Sequence, residues 1–114
     1  MTKLNGQVAI ITGGAQGIGE GASEVFCQAG AKVVIWDALD GQPTAARITE
    51  QGGEIFFQKV DITQRSQVET AVAEIMTRFG RIDILINNAG IIRDKSFLKM
   101  TDEEWHAVLN VNLT

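Results

Sequence analysis

The stretch Val8-Ala9-Ile10-Ile11-Thr12-Gly13-Gly14-Ala15-Gln16-Gly17-Ile18-Gly19 decides the fold. Residues 8–11 are a continuous apolar run, the pattern of a strand buried on both faces as in a parallel sheet. After the run, Ile18, Ala22, Val25, Phe26 and Ala29 recur at helical spacing and Gly30 closes the helix. Between strand and helix lies a glycine-rich loop. Gly13 allows a sharp turn, and Gly17 and Gly19 allow backbone amides and a helix N-terminus to approach a pyrophosphate, whose charge the helix dipole favours. Gly17, Gly19 and Ala22 also fit the dinucleotide fingerprint. The candidate phosphate-loop residues are therefore Gly13, Gln16, Gly17, Ile18 and Gly19.

Outward from this loop the alternation repeats. Residues 32–36 form a second strand ending at Asp37. A weak helix with Pro43 in its first turn follows, ended by Gly52-Gly53. Residues 54–60 read as a third strand, directly followed by Asp61. Val68, Val72, Ile75, Met76 and Phe79 form a helical stripe closed by Gly80. Residues 82–86 are a fourth strand, followed by Asn87-Asn88-Ala89-Gly90. Thr101 with Glu104 makes a capping box for a last helix that is still running at Thr114. Strands alternating with helices imply an α/β, doubly wound parallel sheet of Rossmann type, with helices on both faces and strand order 3-2-1-4. Residues 1–114 are expected to be one dinucleotide-binding domain, incomplete in its last helix. The fourth strand is expected to expose an apolar, unpaired edge.

Asp37 names the dinucleotide. A carboxylate at the tip of the second strand can accept both hydroxyls of an adenosine ribose, at about 1.5–3 kcal/mol per charge-assisted bond. It would repel the extra phosphate of NADP, by about 4 kcal/mol for unit charges about 4 Å apart at an effective dielectric of about 20. Its chain neighbours Trp36 and Ala38 are apolar and Gln16 is neutral. The expected cofactor is NAD.

Composition excludes other classes. The chain has 114 residues, 45% hydrophobic and 21% charged, the balance of one small globular domain. A net charge of −4 offers no basic face to nucleic acid. No apolar run approaches the length of a signal h-region or a membrane span, so a cytoplasmic protein is expected. Cys27 is the only cysteine and His106 the only histidine, which excludes an internal disulfide and a metal site built on them. Cys27 reads as a small buried hydrophobe.

These motifs, in this order, resemble the short-chain dehydrogenase/reductase family. Thr12-Gly13-x-x-x-Gly17-x-Gly19 is similar to its cofactor loop, and Asp61-Ile62-Thr63 to its adenine-contacting acid. Asn87-Asn88-Ala89-Gly90 is similar to its hallmark after the fourth strand, and Val111-Asn112-Leu113 to the helix segment carrying its asparagine. Gly90-Ile91-Ile92-Arg93-Asp94, with Met100 and Trp105, resembles the 3-oxoacyl-thioester reductase branch. The resemblance implies cofactor contacts from Asp61, Ile62, Asn88, Ala89, Gly90 and Val111. Small side chains after the fourth strand would leave room for ribose and nicotinamide. It also implies hydride transfer between nicotinamide and an alcohol or ketone, and a homotetramer or homodimer.

Asn112 follows Trp105, Val108 and Leu109 on one helical face, where an amide is costly without partners. The resemblance gives it a catalytic role, holding a water in a relay to the active-site lysine. In the family that relay serves a Ser and a Tyr-x-x-x-Lys pair, the lysine lowering the tyrosine pKa. This chain contains no tyrosine, and Ser96 precedes the last helix instead of following a fifth strand. The 114 residues alone are therefore expected to be inactive. A non-catalytic NAD-binding or scaffolding module, and a fragment that folds only by pairing with another chain, are the alternatives.

Overall fold

The computed structural model describes residues 3–15, 17–87 and 90–92, with Asn87 and residues 90–92 described through their backbone alone. The elements are β1 (Val8–Thr12), α1 (Gly17–Gln28), β2 (Lys32–Asp37), α2 (Gln42–Glu50), β3 (Glu54–Lys59), α3 (Arg65–Phe79), β4 (Ile84–Asn87) and β5 (Gly90–Ile92). The sheet order is β3-β2-β1-β4-β5. Strands β1 to β4 are mutually parallel, the expected 3-2-1-4 arrangement, and β5 pairs antiparallel with β4.

Strand alternation explains the two core layers. Val8, Ile10, Val34, Trp36 and Leu85 face α3 and pack with Val68, Ala71 and Ile75. Ala9, Ile11, Val33, Ile35, Ile55 and Ile84 face the other way, against Ala45 and Ile48 of α2 and Ala22, Phe26 and Cys27 of α1. Every residue of β1 is buried, so its apolar run has no polar alternation to show. Each side chain the size of Ile so removed from water contributes about 1.5–3 kcal/mol.

Three expectations are corrected. First, Ile18 and Val25 do not face the core, being 90% and 61% exposed. The buried line of α1 is Gly19 and Ser23, with Ala22, Phe26 and Cys27 half-buried beside it. The helix lies close to the loop before it, which favours small residues inward. The Ser23 hydroxyl is satisfied there by donating to the Gly19 carbonyl at 2.9 Å. Second, the far edge of β4 is not uncovered, because Leu85, Ile86 and Asn87 pair with Ile92, Ile91 and Gly90. A three-residue strand is too short to show a period in sequence. Third, β4 begins at Ile84 instead of Ile82. The expected last helix falls outside the described residues.

Asp83 lies just before β4. Its Oδ2 accepts the Val8 amide at 2.9 Å, while its own N–H donates to the Val8 carbonyl at 2.9 Å. Arg81 grips the same carboxylate with two donors, both at 2.8 Å. This latch ties β1 to β4 at their amino-terminal ends. Cys27, expected to be buried, is half-buried: burial, and then the charge of Glu54, push its thiol up to about 11, and Sγ lies 3.7 Å from the Glu54 carbonyl. It is protonated at neutral pH and poorly nucleophilic.

Candidate cofactor site

The order reversal of the sheet falls at β1, with β2 on one side and β4 on the other. Ligands of open α/β sheets lie outside the carboxyl ends of the strands at such a point. Thr12, Asp37 and Asn87 end β1, β2 and β4, and Asp61 follows the end of β3.

The loop after β1 is tied down on several sides. Gly13 has a φ of 68°, a conformation that strains any side chain, and its N–H donates to the Trp36 carbonyl at 2.7 Å. The Thr12 hydroxyl lies 3.2 Å from the Ile86 carbonyl, joining β1 to β4 at their carboxyl ends. Ala15 N–H donates to Asp37 Oδ2 at 3.1 Å, and the Thr44 hydroxyl donates to the Ala15 carbonyl at 2.6 Å. A Cβ on Gly19 would lie 2.0 Å from the Gly13 oxygen, so α1 touches the loop backbone to backbone. A Cβ on Gly17 would meet nothing within 4 Å among the described residues. That combination suits a pyrophosphate: a fixed backbone cradle and helix amides that no described residue blocks.

Asp37 is half-buried, and its Oδ1 accepts the Leu39 amide at 3.0 Å. The carboxylate is thus held by two backbone donors while retaining acceptor capacity for ribose hydroxyls. Lys59 is its register partner on β3, exposed and on the same face of the sheet, though no ion pair joins the two. Reading along the chain could not find this cation, because the neighbour lies across strands. Arg47 of α2 is held by Glu20 and Glu24 of α1.

Asp61 Oδ1 accepts the backbone N–H of Thr63 at 2.9 Å and its hydroxyl at 2.6 Å. These bonds, the hydroxyl first, hold the Asp61 carboxyl below the usual range, and it is ionised at neutral pH. The Asp61 amide donates to Gln67 at 2.8 Å, and the Ile62 side chain packs against the α3 layer. Behind the site the buried Trp36 indole donates to Gln58 at 2.7 Å, and Gln58 donates to Glu74 at 3.0 Å. Sequence reasoning missed Thr44 and Lys59, which follow no motif. Of the expected site residues, the structure brings Gly13, Gly17, Ile18, Gly19, Asp37, Asp61 and Ile62 to one end of the sheet, with Gly90 opening β5. Gln16, Asn88, Ala89, Val111 and Asn112 lie outside the described residues.

Comparison with known proteins agrees with this geometry. The profile of the family described as short chain dehydrogenase matches residues 7–114. A 3-oxoacyl-(acyl-carrier-protein) reductase of Chlamydia pneumoniae is 39% identical over 113 residues, 97% of this chain and 46% of that protein. Oxidoreductase UcpA of Salmonella typhimurium is 39% identical over 114 residues, 99% of this chain and 43% of that protein. Among solved structures, a citronellol catabolism dehydrogenase of Pseudomonas aeruginosa superposes with a TM-score of 0.74 at 32% identity, covering 95% of this chain and 45% of that one. A hydroxysteroid dehydrogenase from Escherichia coli gives 0.73 at 35% identity over 78% of this chain and 39% of that one. The chain thus spans less than half the length of these relatives.

Proposed function

The chain belongs to the short-chain dehydrogenase family, and on that premise we propose that it is the NAD-binding part of an oxidoreductase acting on an alcohol or ketone. The observation that carries the reading is the Gly13 to Gly19 cradle bonded to the carboxylate of Asp37 through Ala15. In it Gly13, Gln16, Gly17, Ile18 and Gly19 line the pyrophosphate, and Asp37 takes the adenosine ribose. Asp61 and Ile62 take the adenine, while Asn88, Ala89, Gly90 and Val111 flank the nicotinamide half. A bound nicotinamide supplies hydride chemistry. The chain's own part is to bind and orient the dinucleotide, with Asn112 as the proposed holder of a relay water. The relatives named as 3-oxoacyl-(acyl-carrier-protein) reductases support a 3-oxoacyl thioester as substrate. No described helix is long and apolar enough to cross a membrane. A cytoplasmic homotetramer or homodimer completes the proposal.

Preference for NAD rests on Asp37. Lys59 works against it, but an exposed ammonium with no ion pair among the described residues is well screened. In NAD and NADP titrations the chain should bind NAD at least tenfold more tightly. Asp37→Ala should narrow that ratio by losing affinity for NAD, and Lys59→Ala should widen it. Equal affinities in the unsubstituted chain would remove the assignment of NAD.

The chain contains no tyrosine, so a separate expectation concerns turnover. The 114 residues alone should bind dinucleotide yet oxidise no alcohol and reduce no ketone, as followed by nicotinamide absorbance. NAD-linked turnover by the pure chain would contradict this. Binding without turnover also fits a purely NAD-binding module, and adding candidate partner chains to the assay separates the two.

A further inference from the structure

Thr44 lies on the first turn of α2, buried at 8% exposure, away from every motif that carries the cofactor reading. Its hydroxyl donates to the Ala15 carbonyl at 2.6 Å, while the Ala15 amide donates to Asp37 at 3.1 Å. Both backbone polar groups of the residue at the middle of the phosphate loop are therefore held by side chains of other elements. Ala15 itself is 9% exposed, so neither group has free access to water as a substitute partner. Gly14 lies equally close to β2, since a Cβ there would meet Ile35 at 2.7 Å.

We propose that Thr44 is a positioning residue for the dinucleotide, fixing the phosphate loop through the Ala15 carbonyl. This rests on the reading of the loop as a pyrophosphate cradle. Without the hydroxyl, a carbonyl with partial negative charge is left without its partner just before the helix amides that would meet the phosphates. It can then turn toward the phosphates or toward water, and the loop must be ordered anew at each binding event. Two roles separate at Ala15. Asp37 sets which dinucleotide is preferred, because it faces the ribose. Thr44 sets how tightly any pyrophosphate is held, because it acts only through the loop.

The test is titration of the chain and its variants with NAD, NADP and adenosine, alongside thermal melting. Thr44→Val keeps the shape and removes the donor. It should weaken NAD and NADP by a similar factor, about tenfold for the loss of one buried hydrogen bond, leaving their ratio and the affinity for adenosine unchanged. Thr44→Ser restores the hydroxyl and should bind like the unsubstituted chain, which keeps the test sharp even if Thr44→Val folds poorly. Wild-type affinity in a folded Thr44→Val overturns the inference alone. So does a folded Thr44→Ser that binds as weakly as Thr44→Val, or equal losses for adenosine and NAD. Failure of the unsubstituted chain to bind any dinucleotide overturns the inference together with the reading beneath it.

Discussion

Replacing Gly19 by valine should abolish dinucleotide binding, by a factor of at least a hundred, and lower the melting temperature by about 10 °C or more. The added Cβ would lie 2.0 Å from the Gly13 oxygen, 2.7 Å from the Gly13 carbonyl carbon and 2.9 Å from the Gly14 Cα. All three are backbone atoms, so no rotamer change relieves the clash. Either α1 rises off the loop or the loop leaves β2, breaking the bonds from Gly13 to Trp36 and from Ala15 to Asp37. Overpacking of this kind costs about 1–3 kcal/mol before the lost bonds are counted. Gly21→Ala is the matched control, because a Cβ there meets nothing within 4 Å. Within a helix that change should stabilise by about 0.5–1 kcal/mol and leave binding intact. Thermal melts and NAD titration of both variants check the pair. Undiminished binding by Gly19→Val would show that the close approach is not needed.

The second large effect lies at the opposite end of the sheet. Asp83→Ala should destabilise the chain by about 2–4 kcal/mol. The substitution strands the buried Val8 amide, at about 1–3 kcal/mol, and removes both charge-assisted bonds from Arg81. Arg81→Ala should cost less, because the Arg81 side chain is 47% exposed and water replaces much of what it gives. Urea unfolding of the two single variants and the double variant measures their coupling. Affinity for NAD per folded molecule should not change in either, since the latch joins the amino-terminal ends of β1 and β4 and the cradle lies at the carboxyl ends. Equal losses from the two single substitutions would mean that the Val8 bond contributes nothing of its own.

The legible part of the fold was the part with strong local pattern. The apolar run of β1, the glycines after it and the acid ending β2 were legible through their order along the chain, and the structure brings them to one end of the sheet. The face of α1 was misread because helical period counts apolar residues. There the helix packs through Gly19 and Ser23, chosen for small size, and leaves Ile18 and Val25 outward. Strand β5 escaped because three residues carry no period. Thr44 and Lys59 escaped for a different reason. Their significance comes from partners 29 and 22 positions away, as Thr44 meets Ala15 and Lys59 meets Asp37 only after the crossovers are made. Asp83 lay inside the strand expected over residues 82–86. In the structure it lies just before β4, bonded to Val8.

The position of the bound dinucleotide is the most direct test. Titrating isotope-labelled chain with NAD and following backbone amide resonances locates it. Shifts should concentrate at Ala15, Gly17, Gly19, Leu39 and the segment 61–63, with Val8 and Asp83 unmoved at the far end of the sheet. Saturating NAD that leaves the amides of the loop after β1 unshifted, or that moves only the amino-terminal ends of the strands, would contradict it.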